Sequence, residues 1–137
     1  MKKYIRLFCI VLLLMSLAMH VSAAVVQPIK PMWDHINDMT CGISFSGTTG
    51  TAYASITSDL DTTQIIASLA VYKQIGTDEW EYVEHTMKRV TSFDMALSVE
   101  FTGEPGAYYK AVFNATVTND GTEENEILFA YRTCPKS

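Results

Sequence analysis

The sequence predicts an all-β fold, an antiparallel β-sandwich of about seven strands. Beyond residue 35, apolar and polar side chains alternate with a period of two, which is the pattern of a half-buried strand. Clusters of Gly, Pro, Asn and Asp interrupt this pattern at short intervals and indicate turns. The 3.6-residue period of a long amphipathic helix is missing from this region. Many short strands separated by turn signals are typical of a sandwich.

The first four strands follow from this alternation and from the turns between them. We predict them over residues 39–45, 51–57, 63–75 and 80–86. Their connecting turns, rich in Gly, Thr and Asp, lie at residues 47–50, 59–61 and 76–78. The third segment also permits a helix over residues 62–70. The β-branched pair Ile65-Ile66 and the unbroken alternation favour a strand there.

The last three strands complete the predicted sandwich. We predict them over residues 94–101, 109–117 and 127–131. A turn that contains Pro and two Gly residues lies at residues 103–106, before the strand predicted over residues 109–117. Asn119, Asp120 and Gly121 tolerate positive φ angles, so they predict a tight hairpin between the last two strands.

The N-terminal residues have the three parts of a secretory signal peptide. Lys2, Lys3 and Arg6 form a basic region, and a short apolar stretch covers residues 10–17. Residues 21–23 (Val-Ser-Ala) have the small-x-small form that signal peptidase recognises. We therefore predict cleavage after residue 23.

Cleavage at this position divides the chain into three segments. They are a signal peptide over residues 1–23, an N-terminal extension over 24–35 and a sandwich domain over 36–137. The apolar stretch of the leader is too short for a comfortable membrane span. The mature protein is therefore predicted to be secreted and extracellular, with no membrane contact after cleavage.

The mature chain is strongly acidic. The full sequence carries ten basic and fifteen acidic residues, which gives a net charge of −5 at pH 7. The predicted leader removes three basic residues and no acidic one, so seven basic residues face fifteen acidic ones and the net charge becomes −8. Nucleic acids and anionic membranes are bound by clustered Lys and Arg. The composition therefore argues against both as partners.

The two cysteines of the mature chain suggest a disulfide. Cys9 leaves with the leader, and Cys41 and Cys134 remain as an even number in an oxidising compartment. A bridge between them would close nearly the whole domain and contribute about 4–5 kcal/mol by the chain-entropy argument. Two free thiols are the alternative. Two cysteines without a histidine at ligand spacing do not form a structural zinc site.

A ten-residue segment after the turn at residues 103–106 resembles a known structural device. Gly106-Ala-Tyr108-Tyr109-Lys-Ala-Val-Phe-Asn-Ala115 is similar to the tyrosine corner of immunoglobulin-like and fibronectin type III sandwiches, and we assign the corner to Tyr108. Together with the strand rhythm and the leader, the chain resembles small uncharacterised secreted proteins of Gram-positive gut bacteria that carry one such domain. This resemblance implies the fold and a bacterial, Gram-positive source, and it implies no activity.

The sequence predicts no enzyme, no cofactor and no metal site. His35 and His85 are the only histidines after the leader, and neither lies in the context of a catalytic nucleophile. Acidic residues crowd two hairpins, at residues 79–84 and 123–126, where solvation explains them without glycoside hydrolysis. The acidic turns at residues 59–61 and 120–123 do not match the calcium-binding loop of an EF-hand.

Aromatic residues are the best indication of function. The mature chain has too many Trp and Tyr residues for one inner face, and Trp80 and Tyr82 lie on the same side of a predicted strand. Outward-facing, they could bind a protein or a sugar ring. Alternatively, Trp80 is a core residue and Tyr82 covers the sheet edge. We expect a non-catalytic interaction module for a protein or cell-surface partner; the alternative is a carbohydrate-binding module for a polysaccharide.

Overall fold

The computed structural model describes residues 33–136, and these form seven β-strands and no helix. The strands are β1 (Ile36–Ser46), β2 (Thr49–Ser58), β3 (Thr62–Gly76), β4 (Glu79–Val90), β5 (Asp94–Thr102), β6 (Tyr108–Asn119) and β7 (Thr122–Thr133). The predicted all-β class is therefore confirmed. The predicted signal peptide and nearly all of the extension before Ile36 lie outside the described residues. Within the described part of the chain, no helix could cross a membrane.

The strands form two antiparallel sheets that pack face to face. One sheet has the order β1-β2-β5, and the other has the order β4-β3-β6-β7. β1 lies over β6 and β7, and β5 lies over β4 and β3. Three strands packed on four give the architecture of an immunoglobulin-like sandwich, as the strand rhythm predicted.

The core lies between the sheets and takes alternate residues from each strand. β6 shows this most clearly, because its inward hydrophobic side chains are all 1% exposed or less: Tyr109, Ala111, Phe113, Ala115 and Val117. β3 contributes buried residues of the same spacing from 65 to 71, which confirms the predicted strand and not the helix. The alternation ends before Ile75, which shares the odd-numbered positions of these residues but is exposed.

The turns have the backbone geometry that their residues suggest. Between β6 and β7, Asp120 and Gly121 have φ angles of 46° and 80°. Two consecutive residues with positive φ make the tight hairpin turn that matches the natural strand twist. The hairpin predicted from Asn119, Asp120 and Gly121 is therefore confirmed.

An irregularity in β4 decides which of its side chains face outward. Val71 of β3 pairs with Glu84, and the next residue, Tyr72, pairs with Tyr82, so Val83 has no partner across the strands. Such a β-bulge adds one residue to one strand only. Val83 packs partly against the core, and Tyr82 and His85 both face outward although they are three residues apart.

The tyrosine corner is formed by Tyr109, and the assignment to Tyr108 was wrong. The backbone N–H of Glu104 donates a hydrogen bond to the Tyr109 hydroxyl over 2.8 Å, across the turn before β6. Tyr109 is buried, and its ring lies 5.7 Å from Phe45 and 5.1 Å from Phe101. Because successive side chains point to opposite faces of a sheet, Tyr108 points out of the core.

The predicted bridge between Cys41 and Cys134 is not formed, since both are free thiols. Cys41 lies midway along β1, opposite Ala54 of β2. The Cys134 sulfur lies at one end of the sandwich, where it and the Phe45 ring both pack beside Gly103. Phe45 is four residues beyond Cys41 on β1, a distance of about 13 Å along a strand. The Cα atoms of a disulfide are within about 7 Å of each other, so this placement does not permit a bridge.

A single carboxylate fixes the start of β1 to the other sheet. Glu124 of β7 accepts hydrogen bonds from three consecutive backbone N–H groups, those of Asp34, His35 and Ile36, over 3.0, 2.8 and 3.2 Å. Asp34 and His35 precede β1, so the carboxylate satisfies backbone donors that lie ahead of the strand ladder as well as that of its first residue. Glu124 therefore links the first strand of one sheet to the last strand of the other.

Candidate binding surface on the four-stranded sheet

The four-stranded sheet has one surface that points away from the core, and we call it the outer face. The strand registers place its side chains in rows across β4, β3, β6 and β7. Successive rows are Tyr82, Tyr72, Lys110 and Tyr131, then His85, Ala70, Val112 and Phe129, then Met87, Ser68, Asn114 and Ile127. The outer face is therefore aromatic at one end and mixes apolar and polar side chains further along.

Large hydrophobic side chains are concentrated on this surface. Residues 33–136 expose ten of them, and six belong to the outer face: Tyr82, Met87, Tyr108, Ile127, Phe129 and Tyr131. Met87 is 70% exposed and Phe129 is 55% exposed. Single exposed apolar residues are ordinary on a protein surface, but a contiguous patch marks an interaction site.

Trp80 is the centre of the aromatic end. Its ring lies 6.2 Å from Tyr108 and 6.2 Å from Tyr131, and those two tyrosines stack on each other with 14° between their planes. The Lys110 ammonium lies over the Trp80 ring, 4.1 Å from its centroid, and 5.4 Å from the Tyr72 centroid. A cation at this distance above a ring is attracted by the negative charge of its face.

The middle of the outer face contains a shallow hollow. Ser68 is small and lies between Met87 of β4 and Asn114 of β6, which leaves a space of about 170 Å³. Asn125 closes its far side, where its side-chain amide group donates to the side-chain amide oxygen of Asn114 over 2.9 Å and to the Thr116 hydroxyl over 2.8 Å. The hollow is therefore lined mainly by polar side chains, with Met87 and Ile66 as its apolar margin.

Tyr82 and His85 form a polar pair at the edge of the outer face. The Tyr82 hydroxyl lies 2.6 Å from Nδ1 of His85. Desolvation by neighbouring groups raises the pKa of Tyr82, and the negative charge of Glu84 and the nearby Tyr72 raise it further. Either group can be the donor in this hydrogen bond, according to the tautomer of His85.

Two lysines near the aromatic end have different electrostatic surroundings. The Lys73 ammonium lies 2.8 Å from Glu104 and 3.2 Å from Glu81, and the hydrogen bonds to these carboxylates raise its pKa. Lys110 is in none of the ion pairs formed within residues 33–136. Its ammonium contacts aromatic rings instead.

The two aromatic residues singled out from the sequence both lie on the outer face. Trp80 is half-buried by aromatic neighbours and Tyr82 is exposed, so Trp80 is not a core residue. They do not form a flat platform, because Lys110 covers the indole and the Tyr82 ring meets Tyr72 at 76°. Whether they bind a ligand stays a prediction.

Sequence reasoning missed Lys110, Phe129 and the outward role of Tyr108. The alternation in β6 could have identified Lys110 and Tyr108. Its odd-numbered residues are buried, so its even-numbered residues lie on the outer face. Phe129 and Tyr131 share one side of β7, but which side of the sheet this is depends on the register with β6. That register places both on the exposed surface.

Residues suited to catalysis are distributed over the molecule. His85 pairs with Tyr82 on the outer face, and His35 lies 3.3 Å from Asp59 near the start of β1. The acidic turn residue Asp61 accepts a hydrogen bond from Asn119. No group of three metal-ligating side chains occurs among the residues that the structure describes.

Comparison with known proteins adds little to this description. No protein-family model and no curated protein matches the sequence. A crystal structure of wild-type OgpA from Akkermansia muciniphila is similar, with a TM-score of 0.39 and 15% sequence identity. The similarity covers 79% of this chain but only 32% of the OgpA chain. This similarity is too remote to support an argument about function.

Proposed function

We propose that the protein is a secreted, non-catalytic interaction module that binds a protein partner through the outer face. The observation that supports this most is the set of six exposed hydrophobic side chains on one face of the sheet, contributed by β4, β6 and β7. Water contact with this apolar area is unfavourable, and a partner that covers it releases that water. The exposed aromatic residues among them are of the type that dominates binding energy at protein interfaces.

The geometry favours a protein over a polysaccharide. Sugar rings stack on open aromatic faces, whereas Lys110 covers the Trp80 ring and Tyr82 presents its ring edge-to-face toward Tyr72. Met87, Ile127 and Phe129 add aliphatic and aromatic area that a polar sugar would leave unmatched. Carbohydrate binding remains the second candidate, because Trp80 and Tyr82 do face outward.

Peptide display tests the proposal. We expect a library of random dodecapeptides, selected on the immobilised mature protein, to yield peptides that bind in the micromolar range. Phe129→Asp should reduce their affinity at least tenfold, because it places a charge among the exposed hydrophobic side chains of β7, between Ile127 and Tyr131. The matched control is Leu60→Asp, which changes an 82%-exposed residue in the turn between β2 and β3.

Three results would count against a protein-binding outer face. Peptides that bind equally to wild type and Phe129→Asp would contradict the proposal, as would a selection that yields none. Saturable binding of a polysaccharide that Trp80→Ala abolishes would instead support the carbohydrate alternative. Urea denaturation of each variant verifies that the fold is retained.

A further inference from the structure

Lys110 is the one positive charge inside an otherwise uncharged part of the outer face. It lies between Tyr72 of β3 and Tyr131 of β7 in the aromatic row. The residues in the next row are His85, Ala70, Val112 and Phe129. Lys110 is half-buried, and its ammonium is held over Trp80 and near Tyr72. The side chain is therefore positioned before any partner arrives.

This positive charge has no carboxylate partner within the described chain. All fifteen acidic residues lie between residues 34 and 126, and the three ion pairs of the described residues involve Lys73 twice and His35 once. Lys73 uses both Glu81 and Glu104. Lys110 depends on water and on the two ring faces for its stabilisation.

Covering the outer face would remove that water. An ammonium buried without an anion is strongly unfavourable, and attraction to aromatic rings recovers only part of its hydration. A wholly apolar partner would therefore bind this surface poorly. A partner with a carboxylate at this point would form a charge-assisted hydrogen bond in a water-poor setting, where such bonds are strongest.

We infer that the partner presents an acidic peptide segment, with an Asp or Glu side chain paired to Lys110 and apolar side chains on either side of it. This inference rests on the proposed function and specifies the chemistry of the partner. Acidic polysaccharides would also offer carboxylates. They would not cover Met87, Ile127 and Phe129, whereas apolar neighbours of an acidic residue in a peptide would.

The test uses the dodecapeptides selected on the mature protein and weakened by Phe129→Asp. We expect them to share one Asp or Glu flanked by aromatic or aliphatic residues. Lys110→Met keeps the length of the side chain and removes its charge, and it should weaken binding at least tenfold. Lys110→Arg should retain affinity within about threefold, because the charge and the ring contacts persist. Lys136→Met is the matched control, at an exposed position after β7.

A double-mutant cycle separates the ion pair from general effects. Replacing the acidic residue of the peptide with its amide should weaken binding to wild type tenfold, and it should not weaken binding to Lys110→Met further. Peptides that bind the face without an acidic residue, or a cycle without coupling, would overturn this inference and leave the proposed function intact. A selection with no peptide sensitive to Phe129→Asp would overturn both. Binding of polygalacturonate, with no acidic peptide bound, would show that the class of partner is wrong.

Discussion

Two adjacent tyrosines at the start of β6 differ in burial, in packing and in hydrogen bonding. Tyr109 is buried, packs on Phe45 and Phe101, and accepts a hydrogen bond from the Glu104 backbone. Tyr108 stacks on Tyr131 at the surface and belongs to the proposed interface. The same phenol thus fixes a turn in one position and offers contact area in the next.

This difference gives a matched pair of substitutions. Tyr109→Phe removes the hydroxyl that accepts the Glu104 N–H, and an unpaired backbone donor should lower the free energy of unfolding by about 1–2 kcal/mol. Tyr108→Phe removes an exposed hydroxyl and should change it by less than about 0.5 kcal/mol. Urea denaturation followed by circular dichroism measures both. Equal effects of the two changes would contradict the assignment of the corner to Tyr109.

Once the buried side of β6 is known, the alternation of its side chains predicts that Tyr109 is buried and that Tyr108 is exposed. Ala111, Phe113, Ala115 and Val117 share the parity of Tyr109, and their small or apolar side chains suit a core. The resemblance to a known corner motif identified the segment but could not decide between neighbours. The local pattern of the strand was the stronger evidence.

At the scale of the elements, strands and turns were more predictable than their pairing. Alternation and turn residues depend on nearby sequence, so they predicted β3 as a strand and the turn at Asp120 and Gly121. The bulge at Val83 depends on where β4 pairs with β3, which no local pattern specifies. The outer face could not be assembled from the sequence for this reason, although Trp80 and Tyr82 were identified.

The contact between the Glu124 carboxylate and the start of β1 is the link between strands that is easiest to test. Glu124→Gln weakens all three hydrogen bonds to the backbone N–H groups of residues 34–36, because the acceptor loses its charge. We expect these amides to exchange hydrogen at least tenfold faster, with little change at Leu69 in the centre of β3. Hydrogen exchange with mass spectrometry or NMR measures this.

The matched control for this change is the adjacent Glu123→Gln. Glu123 is exposed, and its carboxylate is in none of the ion pairs of the described residues. The Glu123→Gln substitution should leave the hydrogen exchange of the backbone amides of residues 34–36 unchanged. Faster exchange in both variants would indicate a general effect of charge and would contradict a specific role for Glu124.

At the scale of the whole molecule, noncovalent burial holds the two sheets together. The core is continuous across both sheets, and a cross-link from Cys41 to Cys134 is absent. The sequence supplied the number of cysteines and the expected compartment, but the distance between them depends on the complete fold. The prediction of a disulfide failed because it relied on composition without that distance.

We therefore expect reducing agent to leave the melting temperature unchanged. In urea, without reductant, both cysteines should react with an alkylating reagent, and mass spectrometry should detect two adducts. A mass lower by two hydrogens, with labelling only after reduction, would contradict the free-thiol arrangement.

The native protein should react slowly and in a pH-dependent way. Burial raises the pKa of Cys41 from 9.0 to about 11, so the reactive thiolate at pH 8 is about a hundredfold scarcer than in an ordinary cysteine. The alkylation rate should keep rising up to about pH 11. Because the folded state holds this proton more tightly, raising the pH from about 9 to 11 should also destabilise the fold.

The bulge in β4 also determines how the strand would respond to the deletion of one residue. Val83 is the single residue of that strand without a partner in β3. An in-frame loss of its codon would give up the partial burial of one valine, yet the remaining side chains could keep their present sides of the sheet. A regular strand of the present length would instead turn Trp80 and Tyr82 toward the core. At the present length of β4, the extra residue Val83 is therefore what keeps Trp80 and Tyr82 on the same face of the sheet as His85 and Met87.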